Sequence, residues 1–216
     1  MKKLVAVYSP MNPARPSYGR LKRLHEANVE QNDPSLFDYF SEEVLLHPNY
    51  HKHGLWRGQN VVHHFNQFYE RVKHDYLYIC KWDDDIILPP SIIDKCIWKL
   101  ENSGYLGIGL FQEDYGKPNV LLENSLETGW YGAFSRFYMY RMDAWSKIPV
   151  ETPWLTGESP NIEGHHSGDP DNSFQISLKG NKHILDVPSI HLDHRAFPNR
   201  NNEYRVMMDV AGFFIQ

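Results

Sequence analysis

A chain of 216 residues with 22 Lys and Arg against 27 Asp and Glu, net charge -5, has no excess of positive charge with which to hold nucleic acid or an anionic membrane. Its 41% hydrophobic and 14% aromatic content excludes an intrinsically disordered chain and suits the packed core of one ordinary α/β domain. The only two cysteines, Cys80 and Cys96, fall in a predicted core strand and on the apolar face of a predicted helix, so buried thiols in a cytoplasmic protein are expected rather than a disulfide.

The first apolar run, Leu4 to Tyr8, suits a short buried strand. Together with Lys2 and Lys3 it is too short for a signal-peptide core or a membrane span, and no transmembrane segment is expected elsewhere. The loop Ser9 to Ser17 is punctuated by Pro10, Pro13 and Pro16; it reads as a rigid connection or as a loop that receives a nucleotide. Leu21, Leu24 and Ala27 recur at helical spacing, with Arg20, Lys22 and Arg23 largely on the solvated side. Phe37 to Leu46 mixes aromatic, aliphatic and acidic residues and reads as an edge strand or a short helix. His47, His51 and His53 follow around a Pro-Asn turn. No cysteine or acid completes a zinc set there, so a solvated loop or a sugar contact is the better reading. Phe65, Phe68 and Val72 then mark a crossover helix, with Asn60 in its first turn as a capping amide or a polar contact.

The stretch Tyr76-Leu77-Tyr78-Ile79-Cys80-Lys81-Trp82 is a β-prone apolar run that ends in Asp83, Asp84 and Asp85. Ile86, Ile87, Leu88, Pro89 and Pro90 follow. Three adjacent like charges repel, and desolvating each costs roughly several kcal/mol unless a cation or hydrogen-bond donors compensate. A solvated acidic turn is one account. The other is a site for a hard divalent cation that also bridges phosphates, beyond the carboxyl end of a strand in an open α/β sheet. Ser91 next opens a helix with Ile93, Cys96 or Ile97, and Leu100 on its apolar stripe, and Tyr105 to Leu110 reads as a strand. Strands and helices thus alternate through the first half, as a mostly parallel, Rossmann-like sheet with helical crossovers requires.

The second half differs. Gly129-Trp130-Tyr131-Gly132 suggests a tight, shaped loop before a strand at Phe137 to Tyr140, and Asp143 starts a short helix. Residues 154–172 carry several glycines and prolines and no periodic apolar face, as expected of a lid. Asp171-Asn172-Ser173 can cap a helix ending at Gly180, and His183 to Val187 is a strand followed by His191 and His194.

In this order the motifs resemble the glycosyltransferases of the GT-A fold, family 2 enzymes most of all, over residues 4 to 194. The resemblance implies a single GT-A domain over 1–216, with a nucleotide-sugar half at 1–110 and an acceptor half at 111–216 whose lid is 154–172. It gives Asp83 the nucleoside, with Asp84 beside it, and Asp85 a Mn2+ or Mg2+ ion on the diphosphate. Ser9, Pro10 and Asn60 fall near the nucleotide, and Trp130, Tyr131 and Asp171 near the sugar or acceptor. Asp169, in Gly168-Asp169-Pro170-Asp171, lies on the family's catalytic-base position. The family's usual preceding Glu is absent and Gln175 stands where its helix Arg is common. His191 has the spacing from Gly180 expected of a histidine that reaches the metal.

The function so implied is metal-dependent transfer of a sugar, with inversion, from a nucleotide diphosphate sugar (UDP being the commonest carrier) to a hydroxyl of a glycan, protein, small molecule or modified nucleic acid. A nucleotidyltransferase also uses Asp-bound Mg2+, but usually with a Gly-rich basic loop after strand one. The loop Pro10 to Ser17 has one Arg and no glycine. A non-catalytic carbohydrate-binding protein of the same fold is the other alternative.

Overall fold

Val5–Met11 form strand β1, all seven residues buried; the apolar run accounts for it as far as Tyr8, and the strand continues through Ser9, Pro10 and Met11, where the sequence reads as a loop. The computed structural model describes residues 3–13, 18–44, 57–110, 137–144, 182–185, 187 and 190–191. The features expected at His47 to His53, Trp130, Tyr131, the 154–172 lid, Asp169, Asp171 and His194 lie outside the described residues. Around β1 the sheet is built from β2 (Phe37–Glu43), β3 (Tyr78–Trp82), β5 (Gly107–Leu110), β6 (Phe137–Arg141) and β7 (Lys182–Leu185), in the order β2-β1-β3-β6-β5-β7. A small second sheet pairs β4 (Ile86–Ile87) with β8 (Ile190–His191).

The main sheet is mixed, which corrects the expectation of a mostly parallel one. β1 runs parallel to β2 and β3, and β5 parallel to β7, but β6 is antiparallel to both of its neighbours, β3 and β5. The alternation of strands and helices in the first half does entail parallel crossovers, and β1, β2 and β3 have them. The aromatic run at Phe137 to Tyr140 marks a strand but carries no direction, so its antiparallel insertion could not be read from it. Phe37–Glu43 resolves as the edge strand of its two alternatives.

Side chains alternate across the sheet and fill a core on each face. On one side Val5, Val7, Cys80, Trp82 and Met139 pack with Val29 of helix α1 (Tyr18–Val29) and with Ile93, Cys96 and Leu100 of helix α3 (Ile92–Glu101). On the other, Ala6, Tyr8, Ile79, Tyr138 and Tyr140 meet Phe65, Phe68 and Val72 of helix α2 (Arg57–Val72). Tyr8 stacks on Phe68 at 4.8 Å between ring centroids. Each large apolar side chain buried this way contributes about 1.5–3 kcal/mol. Cys80 and Cys96 are free thiols inside the core, as expected, and burial raises the pKa of both.

Helix α1 departs from its expected stripe. Its buried residues are Leu21, His25, Asn28 and Val29, whereas Leu24 and Ala27 are only half-buried. Counting apolar residues alone misplaced the face, because two of the four buried side chains are polar and have partners inside the protein.

Candidate functional site

Strand β3 ends at Trp82, and the three carboxylates form the turn into β4. Two hydrogen bonds close that turn. The Ile86 N–H donates to the Asp83 carbonyl at 3.3 Å. The Trp82 indole N–H donates to the Ile86 carbonyl at 3.0 Å, so a residue of the core strand holds the far end of the turn. β4 then pairs antiparallel with β8, with His191 opposite Ile86 and Ile190 opposite Ile87. The backbone thereby brings His191 beside the residue that follows Asp85.

The carboxylates stand in three environments. Asp83 is partly exposed at its side chain (19%) and lies 2.9 Å from the Lys81 ammonium. Lys81 is itself buried, its side chain 2% exposed, with its ammonium 5.4 Å from the centroid of the Tyr138 ring. Asp84 is buried and accepts the backbone N–H of Asn12 at 3.2 Å, which ties the turn to the chain just beyond β1. Asp85 is fully buried. One ammonium, one backbone N–H and the turn's own bonds thus offset part of the repulsion of three adjacent charges. Among the described residues, no group of three or more His, Cys, Asp or Glu comes together to hold a metal ion.

Helix α1 braces the turn from below with a row of polar side chains. His25 Nε2 lies 2.8 Å from Ser9 Oγ, and both residues are fully buried. Asn28 donates to the Leu88 carbonyl at 2.7 Å and accepts the Leu88 N–H at 2.8 Å. Asn32, just past the helix, accepts the Ile93 N–H at 3.0 Å. That last bond caps α3 from another element. Ser91 at the head of α3 sits at φ 58, ψ 29 and makes no side-chain cap bond, so Asn32 supplies what Ser91 does not. Burial lowers the His25 pKa from 6.5 to about 3, against the opposing pull of the Asp85 charge and the Ile86 backbone. The ring is therefore neutral near pH 7.

Of the residues singled out in the sequence, Asp83, Asp84 and Asp85 form one turn, and the chain path sets His191 next to it. Ser9 and Pro10 are buried at the end of β1, the Ser9 hydroxyl being engaged by His25. Asn60 lies in the first turn of α2. Sequence reasoning missed Asn12, His25, Asn28, Asn32 and Lys81. A signal was present for three of them: positions 25, 28 and 32 share the 3–4 spacing of one helix face with Leu21. Lys81 was legible as the one charge in an apolar strand.

No protein-family model matches the chain, and no curated protein matches it in sequence. Solved structures do match it in shape. A glycosyltransferase involved in the glycosylation of the major capsid of PBCV-1 aligns with a TM-score of 0.53 at 12% identity, over 97% of this chain and 99% of that one. The glycosyltransferase GlyE of Streptococcus pneumoniae TIGR4 aligns with a TM-score of 0.56 at 9% identity, over 99% of this chain and 62% of that one. The galactosyltransferase LgtC, solved in complex with donor and acceptor sugar analogs, aligns with a TM-score of 0.52 at 9% identity, over 96% and 95%. At these identities the likeness is one of architecture: the chain has a fold that it shares with glycosyltransferases.

Proposed function

We propose that this chain is a glycosyltransferase that moves a sugar from a nucleotide diphosphate sugar, UDP-linked, to an acceptor hydroxyl, with a divalent metal at the acidic turn. The observation that carries this reading is the position of that turn. Asp83 to Asp85 lie beyond the carboxyl end of β3, tied by Asn12 to the carboxyl end of the parallel strand β1, which is where open α/β sheets bind ligands. The glycosyltransferase fold makes a nucleotide sugar the ligand that best suits the place.

The carboxylates of the turn suit a hard cation. Asp85 would hold the ion through carboxylate oxygens alongside those of the diphosphate, as suits Mg2+ or Mn2+, and an imidazole from His191 would suit Mn2+ better than Mg2+. When bound, the ion offsets the negative charge that gathers on the leaving diphosphate. Asp83, held by Lys81, orients the nucleoside, Asp84 keeps the turn in register with the end of β1, and Ser9 and Pro10 lie on the nucleotide side there. Asn60 contributes a polar contact to the nucleotide, while Trp130, Tyr131 and Asp171 receive the acceptor. Asp169 takes the proton of the attacking hydroxyl, and the helix expected from the sequence to follow Asp171 would keep it ionised.

The test is a panel of nucleotide sugars incubated with the protein, Mn2+ and candidate acceptor hydroxyls, read as released nucleoside diphosphate. Release that vanishes with EDTA is expected, and a panel with no turnover on any donor removes the reading. NMR of the fresh product then fixes the stereochemistry: inversion is expected, with turnover about 10²-fold or more lower in Asp169→Asn, and a retained anomeric configuration excludes the base mechanism.

A further inference from the structure

We infer that His25 is a positioning residue that locks the end of β1 to the acidic turn, so that the two keep a fixed spacing. The functional half of this inference rests on the reading of the turn as the donor site; the structural half does not. Three contacts carry it. His25 Nε2 is bonded to Ser9 Oγ at 2.8 Å on β1. The imidazole meets the Trp82 ring edge-on, at 5.5 Å and 84°, where β3 ends. It also lies against Tyr39 of β2 at 6.1 Å. One ring thus meets all three parallel strands, β1 and β3 at the end where the turn emerges and β2 nearer its middle.

The contact with Trp82 reaches the turn directly, because the Trp82 indole N–H holds the Ile86 carbonyl. The contact with Ser9 reaches it from the other side: three residues further on, the Asn12 N–H holds Asp84. His25 therefore sits at the closed end of a loop of interactions running Ser9, Asn12, Asp84, Ile86, Trp82. A purely apolar ring would fill the same space but would leave the buried Ser9 hydroxyl without its imidazole partner. That difference separates positioning from packing.

The experiment compares the full-length wild type with His25→Phe, which keeps a ring and loses Nε2, and with His25→Gln, which returns a polar nitrogen. The first readout is amide hydrogen exchange by NMR, which needs no ligand. In His25→Phe the Asn12 and Ile86 amides should exchange about tenfold faster or more, with Val7 and Cys80 in the core ladder unchanged, and His25→Gln should return them to within about threefold. Ser9→Ala removes the same bond from the other side with the loss of a single hydroxyl. It should reproduce the His25→Phe pattern, and it decides the matter if the phenylalanine variant does not fold. The second readout is calorimetric titration with UDP and MnCl2, where His25→Phe should bind about tenfold more weakly or worse and His25→Gln should recover. Wild-type exchange at Asn12 and Ile86 in a folded variant overturns the positioning role. If the wild type binds no nucleoside diphosphate, the sugar-transfer reading fails, and the exchange data still decide the role of His25.

Discussion

Asn28 grips the backbone of Leu88 from both sides, donating to its carbonyl at 2.7 Å and accepting its N–H at 2.8 Å. Leu88 lies just after β4, so this one amide fixes where the chain goes once it has left the acidic turn. Both groups are buried. Asn28→Ala strands one donor and one acceptor, each costing about 1–3 kcal/mol. The expected loss is about 2–5 kcal/mol in a urea titration with an unchanged m-value. A loss under about 1 kcal/mol means that the two backbone groups find other partners.

The Lys81–Asp83 pair should respond unequally to losing either member. Lys81 is buried and Asp83 keeps some contact with solvent. Asp83→Ala leaves a buried ammonium without its carboxylate, which is the costly way to break such a pair, at about 3 kcal/mol or more. Lys81→Met leaves a carboxylate that water can partly reach, in space an unbranched apolar chain can fill, so about 1 kcal/mol is expected. Thermal unfolding of both variants without ligand measures the order, and Lys81→Met being the worse of the two refutes the argument.

What could be read in the sequence follows from what each pattern encodes. β1, β3, α2 and α3 announce themselves by apolar periodicity, and the acidic turn by three charges where a buried strand ends. The direction of β6 is not encoded in its aromatic run, because either ladder accepts the same side chains. The buried face of α1 was hidden for a different reason. His25, Asn28 and Asn32 are polar, and their burial is tolerable only because Ser9, Leu88 and Ile93 meet them. Those partners lie 16, 60 and 61 positions away, and no local window contains both halves of the bond. The same holds for His191, whose place opposite Ile86 is set by sheet pairing.

Stability should depend on pH through His25. Its pKa in the folded protein is lowered to about 3 from an ordinary 6.5, chiefly by burial. Between those values the unfolded chain holds a proton that the folded chain does not, so unfolding takes up a proton and acid favours it. The contribution is fully present above pH 6.5 and is lost as the pH falls toward 3, at a slope approaching 1.4 kcal/mol per pH unit. Urea titrations at pH 7, 6, 5 and 4 should show that fall, and a folded His25→Gln should show a shallower one. Parallel curves for the two proteins assign the acid sensitivity to other groups.

Asp85 gives the sharpest test of the metal, because the three aspartates should behave differently under the same substitution. Asp85 is the carboxylate proposed for the ion, so Asp85→Asn removes a charged ligand and should weaken Mn2+-dependent binding of UDP by about an order of magnitude or more. Asp84→Asn keeps an oxygen able to accept the Asn12 N–H, so the tie to β1 survives and the loss should be smaller. Without metal the sign reverses for stability: replacing a buried carboxylate at the end of a run of three relieves repulsion, and Asp85→Asn should melt higher than wild type by several degrees. A stabilised variant that no longer binds in the presence of metal is the pattern expected of a residue kept for function at a cost to the fold. Calorimetry with and without EDTA reads the first effect and a melting curve in EDTA reads the second. Equal UDP binding by Asp85→Asn and wild type, metal present or chelated, takes the ion away from this turn.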